Sequence, residues 1–344
     1  MLPIFVIQRF RIKKINIMNV VFDGDYLLHK TFSVVSGYKP ELSLEDFFSD
    51  KENRMVLYRK IVMDLCSTVN RIANVEKTIF VFDSISWRYD LFPNYKHKLE
   101  KVQDSGAHKF YEFKDWLIEK LKKKGFVVTR IDGAEGDDLC YYWAKYFNDK
   151  KKNVVIISGD GDLKQLVNDY VHVFNNNSTN LNWFYKAGVK SIPDLSKNPR
   201  TQLKKVDTEY EILKKIMLGD SGDNISGVLK GFGEKTFDKF CEHLSKDQAP
   251  GLTDFSSNED GHWKYCYMIA TELFYFKNLT DREQEIPKLR LSIKKNMRLT
   301  WLNELIMPSS IFNSLGEYPF DEVLSEYSYD KPFTLEDFLN LPIK

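Results

Sequence analysis

The 344-residue chain has only four cysteines, none in a C-x-x-C pair and none at zinc-finger spacing to a histidine. That argues against a disulfide framework and a zinc module, and fits reduced thiols in a cytoplasmic protein. No apolar run approaches the roughly 20 residues that a membrane-spanning helix needs. No Ser–His or Cys–His arrangement for acyl chemistry is evident. The chain also lacks a charge bias: 50 Lys and Arg stand against 49 Asp and Glu, for a net charge of +1. The strongly basic balance common in nucleic-acid binders is therefore missing. What remains is ordinary for a folded protein, with 43% hydrophobic and 29% charged residues. The length suits about two domains.

The opening segment, Met1 to Ile17, puts an apolar stretch ahead of Arg9, Arg11, Lys13 and Lys14. A secretory leader has the reverse order. Two readings remain: an extra edge strand or arm, or a start assigned too early, since Met18 directly precedes the first strong strand.

From there, short apolar runs each lead into an acidic turn. Asn19 to Phe22 precedes Asp23-Gly24-Asp25, and Thr78 to Phe82 precedes Asp83. Gly125 to Thr129 leads to Glu135-Gly136-Asp137-Asp138, and Val154 to Ile157 leads to Asp160-Gly161-Asp162. The runs do not alternate, as expected of strands buried on both faces of a parallel sheet. Helical spacing separates them, in Val56, Ile61, Leu65 and Val69, then Trp116, Leu117 and Leu121, then Leu139, Trp143, Tyr146 and Phe147. Strand and helix in turn read as α/β, which puts the acidic turns on the carboxyl edge where open α/β sheets bind ligands. One Asp after a strand is commonly only a turn residue. Four successive strand ends, with acids doubled or tripled, call for more. Crowded carboxylates repel one another, and divalent cations with oxygen ligands relieve that. The edge implies Mg²⁺ or Mn²⁺, in more than one copy.

Between Trp87 and Lys124 ten basic residues face six acidic ones, with aromatics interleaved. This composition suits single-stranded nucleic acid, although a solvated helix pair has it too. A polar stretch, Asn175 to Asn180, reads as a loop. Thr208 to Leu218 is helical in spacing, followed by Gly219-Asp220-Ser221-Gly222-Asp223-Asn224, by Gly231-Phe232-Gly233, and by a second helix through Phe237, Phe240, Cys241 and Leu244. Helix, Gly-x-Gly turn, helix is a helix–hairpin–helix pattern, whose glycines let backbone amides approach a phosphate.

Together these stretches, with Asp23 to Lys30, Phe92-Pro93-Asn94-Tyr95-Lys96 and Ser158 to Leu163, resemble the flap endonuclease / 5′-3′ exonuclease family, from about Asn19 to Leu244. That family includes phage 5′ nucleases and the nuclease domain of bacterial DNA polymerase I. The resemblance implies a mainly parallel, PIN-like α/β core with a helical arch and a helix–hairpin–helix subdomain. It implies segments 1–18 (extension), 19–200 (core, with the arch at about 84–124), 201–250 (hairpin region) and 251–344 (variable). It assigns metal-holding roles to Asp23, Asp83, Glu135, Asp137, Asp138, Asp160, Asp162, Asp220 and Asp223. Lys30 and Lys96 fall on basic catalytic positions, alongside Asp160 and Asp162. Tyr95, Lys96, Gly231 and Gly233 fall on substrate-binding positions, Arg88 and Lys98 of the basic segment and Lys235 of the hairpin are expected to join them, and the hairpin is implied to hold K⁺. The implied substrate is DNA with a 5′ flap, nick or free 5′ end, or an RNA–DNA hybrid. The enzyme would act as a monomer in the cytoplasm of a bacterial or phage-infected cell. Departures are Gly136 where Ala is usual, Ser226 where Pro is usual, an extra Leu229 in the hairpin, and Lys98-Leu99 where an Arg is common.

Beyond about Leu252 the resemblance fades. Ile286 to Trp301 carries five basic residues and no acid, and suits either a DNA contact or a solvated face. Glu317 to Lys344 carries seven acids against two lysines. A docked helix is its simpler reading, a peptide for a replication partner the other. Two rival functions stand beside the nuclease. A haloacid-dehalogenase-like phosphatase would use the Asp-Gly-Asp turns but explain neither the hairpin nor Glu135-Gly136-Asp137-Asp138. A non-catalytic binder of branched DNA would keep the fold without cleavage.

Overall fold

The computed structural model describes residues 17–37, 39, 41–72, 74–96, 106–176, 181–186, 201–246, 249–252 and 259–326. The first 16 residues, Lys98 and the tail from 327 lie outside them.

The four non-alternating runs form parallel strands: β1 (Met18–Asp23), β2 (Val75–Val81), β3 (Val127–Thr129) and β4 (Asn153–Ile157). Three strands not anticipated from the sequence extend the sheet: β5 (Val171–Asn175), β6 (Leu181–Lys186) and β7 (Thr201–Val206). The order is β3-β2-β1-β4-β5-β6-β7, and only the β5–β6 pair is antiparallel. The expected core boundary at 200 is thus corrected, because the sheet runs on to Val206.

Successive residues of the central strands face opposite layers. Val20, Phe22, Phe80, Phe82, Val155 and Ile157 point to one, closed by α1 (Gly24–Ser36), α2 (Leu44–Ser49), α3 (Lys51–Val69) and α5 (Ala107–Lys123). Val21, Ile79, Val81, Val154 and Ile156 point to the other, closed by α6 (Gly136–Asp149). A single turn, α4 (Arg88–Leu91), follows β2. Trp143 of α6 is fully buried, and its indole N–H donates to Thr129 Oγ1 at 3.0 Å.

A separate apolar cluster holds α7 (Thr208–Leu218), α8 (Glu234–Lys246), α9 (Glu259–Phe276) and α10 (Arg282–Thr300) together. The expected hairpin region of 201–250 is therefore half of a larger helical unit. Basic Ile286 to Trp301 is mostly α10, with Ile286, Leu289, Ile293 and Met297 buried against the unit. The chain then returns to the sheet in α11 (Ser309–Gly316) and α12 (Phe320–Glu326). Phe320 meets Trp143 edge-on at 4.7 Å between centroids, so the first part of the acidic tail is docked.

Buried polar links fix the helical unit against the sheet and brace it internally. Gln165 donates to Thr300 O and accepts from Leu302 N–H. Arg88 Nε donates to Leu299 O at 3.0 Å. Within the unit Asn296, fully buried on α10, donates to Ile216 O and Ser226 O, which holds α10 to α7 and to the loop after it. These links bring the Asp220–Asp223 loop over the carboxyl edge of the sheet.

Candidate active site

The acidic turns are built by the ends of the strands. Asp23 ends β1 and caps α1: its Oδ1 accepts from Tyr26 N–H at 2.9 Å and its Oδ2 from the Ser158 hydroxyl at 2.8 Å. Burial, with repulsion from Asp83 and Asp25, pushes its carboxyl up to about 7 despite those bonds. Asp83 follows β2 and accepts from Gly136 N–H at 2.5 Å. Burial, and then the Asp25 charge, push Asp83 up to about 6. A Cβ on Gly136 would stand 2.9 Å from Asp83 Oδ1, so glycine permits this close approach. Glu135 caps α6 in a capping box with Asp138. Asp137 sits on the first turn of α6, and its carboxyl is raised well above the usual range by burial and by Asp160, Asp23, Glu135 and Asp162. After β4, Asp160 is exposed and Oδ1 accepts from Asp162 N–H at 2.7 Å. Burial and the Asp160 charge push Asp162 up to about 6.

Four cations, each from a different segment, are pinned onto this edge. Arg88 pairs with Glu135 at 2.6 Å and with Asp138 at 2.8 Å. Lys96 pairs with Glu135. Lys114 of α5, 4% exposed, pairs with Asp25 at 2.6 Å and donates to Asp83 O. Lys215 of α7 pairs with Asp162 and Asp220. Burial alone would raise Glu135, but Arg88 and Lys96 outweigh it and hold the carboxyl below its ordinary value. The Tyr95 hydroxyl lies 3.1 Å from Glu135 Oε2 and 3.3 Å from Asp223 Oδ2, and Lys96 N–H donates to Asp223 O at 2.9 Å. Tyr95 and Lys96 thus join the segment after α4, α6 and the helical unit.

Two sequence-based assignments are corrected by these contacts. Arg88 is 2% exposed and committed to Glu135, Asp138 and Leu299 O, so it is an internal counter-ion rather than a substrate contact. Asp138 is 0% exposed, and its oxygens accept from Arg88, Trp87 Nε1 and Glu135 N–H, so it is Arg88's buried partner rather than a carboxylate open to a metal. Lys30 is turned to Asn176, donating to its carbonyl at 2.8 Å and its side chain at 2.9 Å, and burial lowers its pKa. Gly231, at φ +75°, Gly233 and Lys235 are exposed at the turn into α8. Lys98 lies outside the described residues. His29 stacks on Phe110 at 4.7 Å, consistent with packing.

Sequence reasoning missed Asp25, Lys114 and Lys215. Lys114 did leave a signal: it takes a slot in the apolar stripe Phe110, Phe113, Leu117, Leu121. Nothing marked Lys215.

The side chains that converge here offer a metal carboxylate oxygens, a donor set suited to divalent cations. Among the described residues no three carboxylates already close on one point. Burial, and then repulsion between neighbouring carboxylates, raise Asp23, Asp83 and Asp137, and a divalent cation would favour their charged forms, so the residues fit that group.

Residues 18–192 match the family model described as 5′-3′ exonuclease, N-terminal resolvase-like domain. A 5′-3′ exonuclease of Buchnera aphidicola subsp. Schizaphis graminum is 27% identical over 313 residues, covering 86% of this chain and 99% of its own. The structure of T5 5′-exonuclease with bound divalent zinc ions superposes with a TM-score of 0.57 at 20% identity, over 90% of this chain and 100% of that one. A bacteriophage T5 flap endonuclease, in a pseudo-enzyme–product complex with DNA and metal ions, gives 0.55 at 20% identity, over 90% of this chain and 99% of that one. The two structures share the fold.

Proposed function

The chain belongs to the 5′-3′ exonuclease family, and from that premise we propose that it is a structure-specific 5′ nuclease, hydrolysing phosphodiesters in DNA with divalent metal ions. The carrying observation is the concentration of strand-end carboxylates on one edge, where burial and mutual repulsion raise Asp23, Asp83 and Asp137. Asp23, Asp83, Asp137, Asp160, Asp162, Asp220 and Asp223 would hold the ions, and Glu135 joins them only by releasing Lys96. We take the ions to be two or more Mg²⁺ or Mn²⁺. When bound, they supply Lewis acidity to an in-line phosphodiester displacement.

The chain's own residues do the rest. Lys96 has a partly exposed ammonium beside Glu135, placed to offset charge growing on the phosphate oxygens. Tyr95 and Asn224, which donates to Asn94 O at 3.0 Å, hold the Lys96 segment on the helical unit. Lys30 would serve the same phosphate after leaving Asn176. The exposed turn at Gly231, Gly233 and Lys235 would bind duplex phosphates through backbone amides and charge, with K⁺ as its monovalent ion. The basic segment around α5 would pass the 5′ strand. The products are a 5′-phosphate and a 3′-hydroxyl. The cellular reading is primer and flap removal or repair, by a cytoplasmic monomer that meets replication proteins through its C-terminal tail.

The test compares a 5′-labelled flap, a nicked duplex and an RNA–DNA hybrid with Mg²⁺ and with chelator. Mg²⁺-dependent release of short 5′ fragments is expected. Binding to branched DNA without cleavage would favour the non-catalytic reading, and hydrolysis of para-nitrophenyl phosphate alone would favour the phosphatase.

A further inference from the structure

Lys215 is the one pinned cation whose partners both belong to the proposed metal-holding set. Its ammonium pairs with Asp162, from the turn after β4, and with Asp220 at 2.5 Å, from the loop after α7. The other three do different work: Arg88 and Lys114 reach Asp138 and Asp25, which are not in that set, and Lys96 reaches Glu135. Asp220 is aimed at the lysine, because its other oxygen accepts from Gly222 N–H at 2.7 Å. The two carboxylates come from different units of the fold, so Lys215 also ties the helical unit to the sheet edge.

We propose that Lys215 is a built-in counter-ion that holds Asp162 and Asp220 together before metal arrives, and that a divalent cation must displace it to use both carboxylates. The proposal rests on the reading of Asp162 and Asp220 as metal-holding residues. An ammonium suits this role because it is a compact point charge on a flexible four-carbon stem, 29% exposed here, and can leave without disturbing the backbone. A dication brings twice the charge to the same oxygens. Lys215 thereby sets the metal affinity of this pair and keeps the metal-free edge from repelling itself apart.

Calorimetric titration of Mn²⁺ into the metal-free protein, without DNA, tests this. Lys215→Met keeps the stem and removes the competitor. Mn²⁺ should then bind roughly 2- to 30-fold tighter, the worth of two partly exposed ion pairs. The melting temperature in chelator should fall, and its rise on adding Mn²⁺ should grow. Lys215→Arg, whose forked guanidinium grips two carboxylates more firmly, should weaken Mn²⁺ binding, and it carries the test if the Met variant does not fold. Asp162→Asn with Asp220→Asn separates the two levels of inference. If wild type and this double variant give the same Mn²⁺ titration, the metal-holding reading of the pair fails. If the pair matters but Lys215→Met leaves Mn²⁺ affinity unchanged or weaker, the counter-ion role is overturned.

Discussion

Arg88→Met tests most directly how the acidic edge is held. Arg88 is 2% exposed and stacks its guanidinium 4.6 Å from the Trp87 ring centroid. It makes side-chain bonds to Glu135 at 2.6 Å and to Asp138 at 3.0 and 2.8 Å, and a fourth to Leu299 O. Methionine keeps much of the apolar stem but leaves the Asp138 carboxylate without a charge partner and Glu135 with Lys96 alone. Removing one partner of a buried ion pair costs about 3–5 kcal/mol. Loss of the Leu299 link adds about 1 kcal/mol and loosens the helical unit. Urea unfolding in chelator at neutral pH should therefore show a stability loss of about 4–6 kcal/mol. Arg88→Met with Asp138→Asn should recover part of it, since the residues interact directly. A loss below about 1 kcal/mol for the single variant, or strict additivity in the double, would refute the counter-ion role.

Three further outcomes follow from the same geometry. Lys96→Ala should slow flap cleavage far more than it weakens duplex binding, measured by single-turnover rates and fluorescence anisotropy; equal losses would remove its role at the reacting phosphate. In chelator, Asp23 holds its proton more tightly folded than unfolded, with a carboxyl near 7 against an ordinary 3.8. Its stability contribution is thus complete below about pH 4 and is lost as pH rises to about 7, at most about 4 kcal/mol. The melting temperature of the metal-free protein should fall between pH 5 and pH 8, Mg²⁺ should restore it at the upper end, and Asp23→Asn should flatten the slope; a flat wild-type profile speaks against this. Gly231→Ala should weaken duplex affinity and cost about 1–2 kcal/mol, because φ +75° strains any residue with a Cβ.

Much of the sheet was legible because its central strands are buried on both faces, which leaves unbroken runs such as Val154 to Ile157. The acidic turns were legible because they follow those runs directly. The last strand was not: β7 reads Thr-Gln-Leu-Lys-Lys-Val, and its middle residues are exposed at the edge of the sheet. Burial separated residues that composition had grouped. Arg88 looked like part of a basic arch and Asp138 like one more ligand, yet the two neutralise each other inside the protein. Lys114 reaches Asp25, and Lys215 reaches Asp162, both distant in sequence, and no local pattern encodes such pairs. The helical unit ran past its expected end because α9 and α10 share one apolar core with α7 and α8.

The most direct test is the single-turnover rate of Mg²⁺-dependent cleavage of a 5′-labelled flap by Asp160→Asn with Asp162→Asn, with flap binding measured alongside. Altering groups that only orient metal ligands typically costs 10- to 100-fold. Loss of two ligands should therefore slow cleavage by more than about a hundredfold, with binding retained. Cleavage at the wild-type rate would contradict a metal-dependent nuclease site on this edge.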